Sequence, residues 1–318
     1  MRKISTSTQS DIEKAAKALL DGSLVAFPTE TVYGLGADAT NPEAVSRVYS
    51  VKGRPTDHPL IVHISSRELI NNWAIDIPSY AQKLAKFFWP GPMTLILRRS
   101  YLAKDFITGG QDNVGLRVPA QPIAQTLLRE FEKLGGSGIA APSANRFGAV
   151  SPTTAEAVQE DLGRYLDSKD LVLDGGPSLV GIESTIIDCT NEVPMILRPG
   201  AITTKMIQEL IEKIPIINTA NTLIRVSGML PVHYAPNAKV KISGATNAGE
   251  GFIALSNIPT PANAVRLAAP NNLEEFAKIL YSAFRAADIH GLSTISVIPP
   301  NGDGMAHAIR DRLNKASG

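Results

Sequence analysis

Near the start of the chain, hydrophobic and polar positions alternate with the period of an amphipathic helix. The apolar residues recur at intervals of three and four, the stripe of a core-facing helix, and they are Ile12, Ala15, Ala16, Leu19 and Leu20. Ser10 and Glu13 have the spacing of a capping box, and Gly22 suits the left-handed position that ends a helix. A short apolar strand at 24–27 follows and leads into a hydroxyl-rich loop, PTETVYGLG at 28–36.

Helices and strands alternate from there to about residue 213. Asn41 and Pro42 predict the start of a second helix, which ends near Gly53. Thr153 with Glu156 predicts the cap of another helix. Further helices are predicted at 79–89, 121–134 and 204–213, and strands at 60–64, 93–98, 114–118, 138–141, 171–174, 184–188 and 195–198.

The pattern divides the chain into three parts. Residues 1–214 carry the alternating elements, whereas 215–237 have no sustained periodicity and contain Asn218, Asn221 and Pro231, as a linker does. Residues 238–318 form a third part, and its elements are predicted as strands at 239–243, 251–256 and 293–298 and helices at 272–289 and 303–314. The pattern therefore predicts an α/β protein, with a small βαβ-type domain after the linker.

Composition narrows the possible functions. Lys and Arg number 31 against 30 acids, a net charge of +1, so any contact with nucleic acid has to come from a local patch. A single cysteine, Cys189, excludes an internal disulfide framework and a multi-thiolate metal site, and fits a cytoplasmic location. The N-terminal MRKISTSTQSDIEK has no apolar run behind its basic residues, and no segment approaches the roughly 18 apolar residues of a membrane span. We therefore expect no signal peptide and no membrane contact.

Common catalytic and nucleotide-binding motifs are absent from the sequence. There is no G-x-x-x-x-G-K-[ST] and no G-x-S-x-G, and Gly34 with Gly36 gives only G-x-G. His58 and His63 are five residues apart, so they would point to opposite faces of a strand that contained both. No metal site is predicted.

Cations concentrate at the ends of predicted elements, and each has two interpretations. Lys52 and Arg54 bracket Gly53, where they either complement the negative end of the preceding helix or bind an anion that approaches the glycine backbone. Arg117 lies in the predicted strand 114–118 and points away from its apolar neighbours. It is either a surface or interface arginine or a guanidinium that grips a carboxylate in a cleft.

Short hydroxyl and amide side chains accompany these cations. Ser143, Asn145 and Ser151 lie in a loop at 141–153, Ser184 follows a glycine pair, and Arg198 precedes a Pro-Gly turn. Such side chains serve turns and caps, but they also donate to phosphate oxygens without adding charge. The residues alone leave both possibilities open.

Taken together, these segments resemble one family, the threonylcarbamoyl-AMP synthases with the YrdC-type fold. The matching segments occur in the family's order over about residues 10–200, and they are PTETVYGLG, KGRP-x3-PL, FFWPGPMTLIL, VGLRVP, APSANRFGAVSPT, GIESTIID and LRPG. PVHYAP at 231–236 resembles the linker of the longer, two-domain form. The resemblance implies a YrdC-like twisted open mixed sheet with flanking helices, followed by a small Rossmann-like βαβ domain.

The resemblance also implies a reaction. L-threonine and bicarbonate would give a carboxylated amine, which attacks the α-phosphorus of ATP and releases pyrophosphate, leaving threonylcarbamoyl-AMP. Mg²⁺ would accompany ATP, and no tightly bound cofactor is implied. A separate threonylcarbamoyl transferase would then pass the group to an adenosine of tRNA; whether this protein itself contacts tRNA is left open.

Site residues follow from the resemblance at matching positions. Lys52 and Arg54 correspond to a K-x-R element and are assigned to catalysis. The residues assigned to ATP are Arg54, His58, Asn113, Ser143, Asn145, Ser151, Arg198 and Tyr234. The residues assigned to L-threonine are Thr31, His63, Arg117, Ala141 and Ser184. Asn113 departs from the family, which has a hydroxyl there, and Tyr234 would make the linker a lid over the nucleotide.

Two other functions were weighed against this one. A non-catalytic RNA-binding module could use the same basic surface, although the near-neutral net charge argues against it. A carbamoyltransferase of hydrogenase maturation contains a related domain, but it carries zinc-binding cysteine clusters that a chain with one cysteine lacks.

Overall fold

A computed structural model of the chain describes residues 6–212, 215–218, 224–228, 232–242 and 245–318. Several sequence predictions lie outside the described residues, namely those on 1–5, on the boundary at Ile214, on Asn221 and Pro231 of the linker and on Ser243. No helix in the described part of the chain is long and apolar enough to cross a membrane.

The helices are α1 (Gln9–Leu20), α2 (Pro42–Lys52), α3 (Ile70–Trp73), α4 (Ser79–Phe88), α5 (Asp105–Thr108), α6 (Pro122–Lys133), α7 (Ala155–Leu162), α8 (Thr204–Ile211), α9 (Leu273–Ile289) and α10 (Met305–Ser317). The strands are β1 (Val25–Phe27), β2 (Gly34–Asp38), β3 (Ile61–His63), β4 (Met93–Arg98), β5 (Asn113–Arg117), β6 (Ile139–Ala140), β7 (Leu171–Val172), β8 (Thr185–Asp188), β9 (Met195–Arg198), β10 (Ile217–Asn218), β11 (Lys239–Ile242), β12 (Gly251–Ile253), β13 (Val265–Ala268) and β14 (Thr294–Val297).

A mixed sheet forms the centre of the first domain. Its strands, counted within the described residues, follow the order β10-β9-β8-β4-β5-β3-β6-β2-β1-β7. β3 runs parallel to β5, with His63 opposite Arg117, whereas β4 and β5 pair antiparallel. The predicted open mixed sheet is confirmed. Its last strand, β10, pairs with β9 and lies within the segment that the sequence assigned to the linker.

A second sheet forms the C-terminal domain. β11, β14, β12 and β13 lie side by side in that order, and all of their pairings are parallel. α9 connects β13 to β14, as expected for a crossover between parallel strands. The predicted small Rossmann-like domain is therefore confirmed, with β13 as a strand that the sequence analysis missed.

The two domains share a hydrophobic cluster. Val32, Val150 and Ile182 of the first domain pack in one buried cluster with C-terminal residues such as Leu280 and Phe284. Burial of apolar surface of this kind contributes about 25 cal/mol per Å² removed from water, so the shared cluster stabilises the domain arrangement.

Two predicted helix starts are wrong by one or two residues. The capping box of α1 joins Thr8 and Asp11, because Asp at the third helical position returns the same hydrogen bond that was predicted for Glu13. Thr154, rather than Thr153, accepts from Ala157 N and caps α7. The predictions at α2 are confirmed: Asn41 is the N-cap and Pro42 follows it, while Gly53 closes the helix at φ 62°.

The loop predicted over PTETVYGLG is also partly wrong, since Gly34–Asp38 forms β2. Its glycines, which lower strand propensity, are required by packing: a Cβ on Gly36 would lie 2.7 Å from Ile139 Cγ2. In α1, Leu20 was placed in the core stripe, but it is 39% exposed at the end of the helix.

Candidate functional site

A cavity lined by several polar and charged side chains opens where the ends of several strands meet the linker. Nine of the residues predicted from the sequence line it: Thr31, Arg54, His63, Arg117, Ala141, Ser143, Ser184, Arg198 and Tyr234. The set assigned to L-threonine lies there in full, beside half of the set assigned to ATP. The structure thus brings residues from β3, β5, β9 and the linker to one place.

Arg117 ends β5 and points into the cavity, as strand alternation predicted, while Val114 and Leu116 join the core. Its Nη1 donates to Thr31 Oγ1 at 2.9 Å, and its Nη2 donates to Glu30 Oε1 at 2.7 Å. The guanidinium is therefore buried and oriented. Its Nε has no hydrogen-bond partner among the described residues and remains available to a carboxylate.

His63 lies next to Arg117 in register and is 4% exposed. Burial, together with the Arg117 charge, lowers the pKa of His63 to about 3, so the ring is neutral at physiological pH. Its Nδ1 finds no partner within the described chain, although a buried polar atom of this kind is normally hydrogen-bonded. An unpartnered polar atom on a cavity wall indicates a place for a ligand.

Ser184 and Arg198 form a second polar wall. The hydroxyl of Ser184 shares a 2.8 Å hydrogen bond with Thr94 Oγ1 and accepts from Arg198 Nη2 at 3.1 Å. Arg198 Nε also donates to the Ser184 carbonyl at 3.0 Å, and its Nη1 donates to Ser227 O at 2.9 Å. These bonds hold the Arg198 guanidinium flat against the cavity, in an orientation suited to an anion.

Arg54 follows the left-handed Gly53 at the end of α2, which turns the chain toward the cavity. Its Nη2 donates to Pro59 O at 3.0 Å and to Ser227 Oγ at 3.1 Å. Burial lowers the pKa of Arg54 to about 10, so it keeps its charge at neutral pH. Arg54 and Arg198 both contact Ser227, and two guanidinium groups therefore converge beside this linker residue.

Tyr234 brings the linker over the cavity with a backbone φ of 63°, which is uncommon for a residue other than glycine. Its ring lies 4.1 Å from that of His233 and 5.8 Å from that of Tyr281, measured between ring centres. Its hydroxyl is buried without a partner among the described residues. The strained backbone is held by packing on both sides, and the hydroxyl faces the place predicted for the nucleotide.

The remaining predicted residues lie beside the cavity rather than on its wall. Lys52 is 2% exposed, and its Nζ donates to the carbonyl oxygens of Ser143 and Asn145. These bonds join the K-x-R element to the loop that carries Ser143 and Asn145. Burial and the Arg54 charge hold the pKa of Lys52 well below its ordinary value. Asn145 Nδ2 donates to Arg146 O and Ala149 O and so shapes the same loop.

Three further predicted ATP residues contact protein groups in this structure. Ser151 Oγ donates to Glu183 Oε1 at 2.6 Å. His58 precedes β3 instead of belonging to it, and its ring packs edge-on against Phe147 with centres 5.3 Å apart. Asn113 begins β5 and pairs with Arg98 of β4.

Sequence analysis missed further residues of the site, among them Glu183, Ser227, Gly228 and His233 of the lining and Glu30 behind Arg117. Glu30 and Glu183 lie within motifs that carry the resemblance, but their partners are far away in sequence. Ser227 and Gly228 lie in a segment without periodicity, and only the glycine marks a special backbone position, at φ 82°.

The described cavity wall has few side chains that could act as metal ligands. No group of three or more His, Cys, Asp or Glu side chains that could hold one occurs among the described residues. Glu183, the carboxylate on the described cavity wall, already accepts from Ser151, Tyr281 and Arg312. A divalent ion here would have to arrive with its own anionic ligand.

Two family models match the chain. The Sua5, YciO and YrdC family, described as telomere recombination, matches residues 17–200, and the C-terminal domain of threonylcarbamoyl-AMP synthases matches residues 202–318.

Individual proteins match over nearly their full length. The chain is 39% identical to the threonylcarbamoyl-AMP synthase of Pyrococcus abyssi, over 96% of this chain and 94% of that protein. It is 37% identical to the threonylcarbamoyl-AMP synthase of Bacillus subtilis, over 96% and 93% of the two chains. The crystal structure of Pyrococcus abyssi Sua5 complexed with L-threonine superposes with a TM-score of 0.88 at 38% identity, over 98% of this chain and 96% of that one.

Proposed function

The chain belongs to the threonylcarbamoyl-AMP synthase family, and from this premise we propose that it condenses L-threonine, bicarbonate and ATP into threonylcarbamoyl-AMP and pyrophosphate. Such an enzyme is a nucleotidyltransferase. The observation that carries the proposal is one cavity with two cationic ends, Arg117 with Thr31 at one and Arg54 with Arg198 at the other. An amino-acid carboxylate and a triphosphate need separate cations of this kind.

The Arg117 end suits the amino acid. Arg117 would bind the threonine carboxylate, and Thr31 and Glu30 fix the plane of its guanidinium. The neutral ring of His63 and the hydroxyl of Ser184 lie on the same wall and would hydrogen-bond the polar groups of the substrate. Ala141 leaves space there for the side-chain methyl group. The related Pyrococcus abyssi Sua5 was solved in complex with L-threonine, which supports this amino acid as a substrate.

The other end suits the nucleotide. Arg54, Ser143 and Arg198 would contact the phosphates, and Tyr234 would cover the nucleotide from the linker. Lys52 keeps the loop that carries Ser143 in place, and we assign Lys52 and Arg54 to offsetting charge that develops at the α-phosphate. Mg²⁺ enters as the ATP complex, with the triphosphate as its principal ligand.

The reaction then needs positioning more than covalent chemistry. The threonine nitrogen attacks the carbon of bicarbonate, and loss of water leaves a carbamate. A carbamate oxygen attacks the α-phosphorus in line with the departing pyrophosphate, so one P–O bond forms as another breaks. Cys189 is buried in the core of the first domain and is not placed to act as a nucleophile. Tyr234 of the linker, which lines the cavity, would help to exclude water from the product.

The product carries a reactive acyl group, so a downstream threonylcarbamoyl transferase must consume it. We propose that this transfer modifies an adenosine of tRNA and takes place in the cytoplasm. The alternative of a non-catalytic RNA-binding module finds no support in a recessed cleft whose cations come from separate elements, Arg117 from β5 and Arg198 from β9.

The test is pyrophosphate release from ATP and Mg²⁺, with L-threonine and bicarbonate varied independently and the adduct identified by mass. Release that requires both co-substrates, together with the adduct mass, supports the proposal. If ATP is untouched while the folded protein binds RNA, the catalytic proposal fails and the binding module replaces it.

A further inference from the structure

A buried carboxylate on the cavity wall is held from two domains. Glu183 precedes Ser184 and is 6% exposed. Its Oε1 accepts from Ser151 of the first domain, and its Oε2 accepts from the Tyr281 hydroxyl of α9 at 2.9 Å and from Arg312 Nε of α10 at 2.7 Å. The cation that balances this carboxylate therefore comes from the C-terminal domain.

Arg312 also contacts the segments next to three predicted ligands. It is fully buried, and its Nη2 donates to Pro199 O at 3.0 Å, directly after Arg198 in sequence. Its guanidinium carbon lies 5.3 Å from the centre of the Tyr234 ring. Arg312 itself does not belong to the described cavity lining. It thus acts on the site only through other residues.

The charge of Glu183 explains why its ion pair with Arg312 affects the site. Burial alone would raise the pKa of Glu183, but the charges of Arg312 and Arg198 and the Ser151 hydrogen bond lower it to about 2, so the group is ionised at neutral pH. An ionised carboxylate on this wall would repel a triphosphate. Without Arg312, Arg198 is the cation whose charge still acts on Glu183.

We propose that Arg312 is a positioning residue for ATP: it neutralises Glu183 from the C-terminal domain and so leaves Arg198 available to the phosphates. This inference rests on the proposed function. It gives the C-terminal domain a defined part in nucleotide binding, in addition to the packing of the shared hydrophobic cluster.

The first experiment separates the two substrates. Arg312→Met keeps the length and apolar stem of the side chain but removes its charge. We expect the affinity for a non-hydrolysable α,β-methylene analogue of ATP to fall by roughly 10- to 100-fold, as for truncation of a buried ion pair. Affinity for L-threonine should fall much less than affinity for the analogue, because the described contacts of Arg312 do not include Arg117, which is assigned to the threonine carboxylate. Both are measured by calorimetry on the full chain.

A matched control is available on the same helix. Arg310 is two residues away, and its Nη1 and Nη2 donate to Pro300 O and Gly302 O within the C-terminal domain. Arg310→Met removes an equal charge without touching Glu183, so affinity for the ATP analogue should match that of the wild type. Equal loss in both variants would mean a general effect of charge or stability and would overturn the proposal.

The deciding variant is the double substitution Arg312→Met with Glu183→Gln. It removes the carboxylate that would compete for Arg198, while Asp311, which also pairs with Arg312, keeps its ion pair with Lys315. Analogue affinity should therefore return to within about threefold of the wild type. If Arg312 had a purely structural role, the double variant would not regain affinity for the analogue, because it lacks both members of the ion pair. Analogue affinity as weak as in Arg312→Met, or an unaffected Arg312→Met, overturns the inference.

Failure of this inference can be distinguished from failure of the proposed function. If Arg312→Met does not fold, the charge-matched double variant is compared directly with the wild type, and a tenfold weaker affinity counts against the proposal. If the wild type forms no threonylcarbamoyl-AMP, the proposed function fails, while analogue binding still reports on Arg312. If the wild type forms it and Arg312→Met binds the analogue normally, only this inference fails.

Discussion

The hydroxyl of Ser151 donates a 2.6 Å hydrogen bond to Oε1 of Glu183. A serine hydroxyl has a single proton, so while this bond persists Ser151 offers only lone pairs to any other group. A hydrogen bond from Ser151 to a phosphate oxygen of ATP would therefore require the hydroxyl to turn from the carboxylate to that oxygen.

Ser151→Ala tests that rotation. We expect the KM for ATP to rise by about 3- to 10-fold, the range of one hydrogen bond, with the KM for L-threonine unchanged. The measurement is the initial rate of pyrophosphate release. Ser282→Ala is the control, since Ser282 is exposed on α9 and its hydroxyl donates only to Ile279 O. An unchanged KM for ATP would confine the Ser151 hydroxyl to holding Glu183.

Gly228 leaves the space that Tyr234 occupies. A Cβ built on Gly228 would lie 2.0 Å from the Tyr234 hydroxyl oxygen and 3.2 Å from Arg198 Nη1. Gly228→Ala should therefore displace the Tyr234 ring and reduce kcat/KM for ATP by roughly tenfold or more, as for a misplaced positioning group.

The control for Gly228 is a second glycine with the same backbone conformation. Gly249 has φ 79° against 82° for Gly228, and a Cβ there would meet nothing within 4 Å. Gly249→Ala carries the same left-handed strain, about 1 to 2 kcal/mol, without a clash. Equal losses of activity in the two variants would show that backbone strain, and not Tyr234, is responsible.

Sequence patterns predicted the regular elements well where apolar runs had sharp limits. β4 and β9 have the predicted bounds because Met93–Arg98 and Met195–Arg198 are bounded by turn residues. β2 was missed because its small residues lack the β-branched signal of a strand, although all five are buried. The structure needs glycine there, since Phe27 and Ile139 pack against that backbone.

The sequence predicted those site residues whose placement depends on local pattern, and it did not predict those whose partners are distant in sequence. Arg117 could be assigned to a face by alternation, because register is a local property. The ion pair of Glu183 with Arg312 joins residues 129 positions apart, in different domains. No local pattern marks such a pair, and neither residue carries a signal that separates it from a surface charge.

Arg117→Met tests the threonine end of the cavity. The variant removes the group assigned to the substrate carboxylate and leaves Glu30 buried without its cation. We expect the Kd for L-threonine to rise by about 100-fold or more, with affinity for the ATP analogue changed far less. Calorimetry measures both. Arg98→Met is the control, because Arg98 is an exposed residue paired with Asp76. Retained threonine affinity in Arg117→Met would refute the assignment.

His63 and His233 predict how stability depends on pH. Burial, with the charges of nearby cations, lowers the pKa of each ring to about 3 in the folded state, against about 6.5 in an unfolded chain. Between these values the unfolded chain binds protons that the folded chain does not. The contribution of each ring to stability is therefore complete above about pH 6.5 and is lost as the pH falls toward 3.

This pH dependence can be measured as the slope of the free energy of unfolding against pH. Each histidine should make the free energy of unfolding fall by about 1 kcal/mol per pH unit between pH 6 and 4, and His233→Gln should remove that share of the slope. Denaturant unfolding at several pH values gives the slopes. Ser282→Ala is the control, since Ser282 is exposed on α9 and its replacement changes no titratable group. If His233→Gln and the wild type have equal slopes, His233 takes up a proton in the folded protein, and burial does not hold its ring neutral.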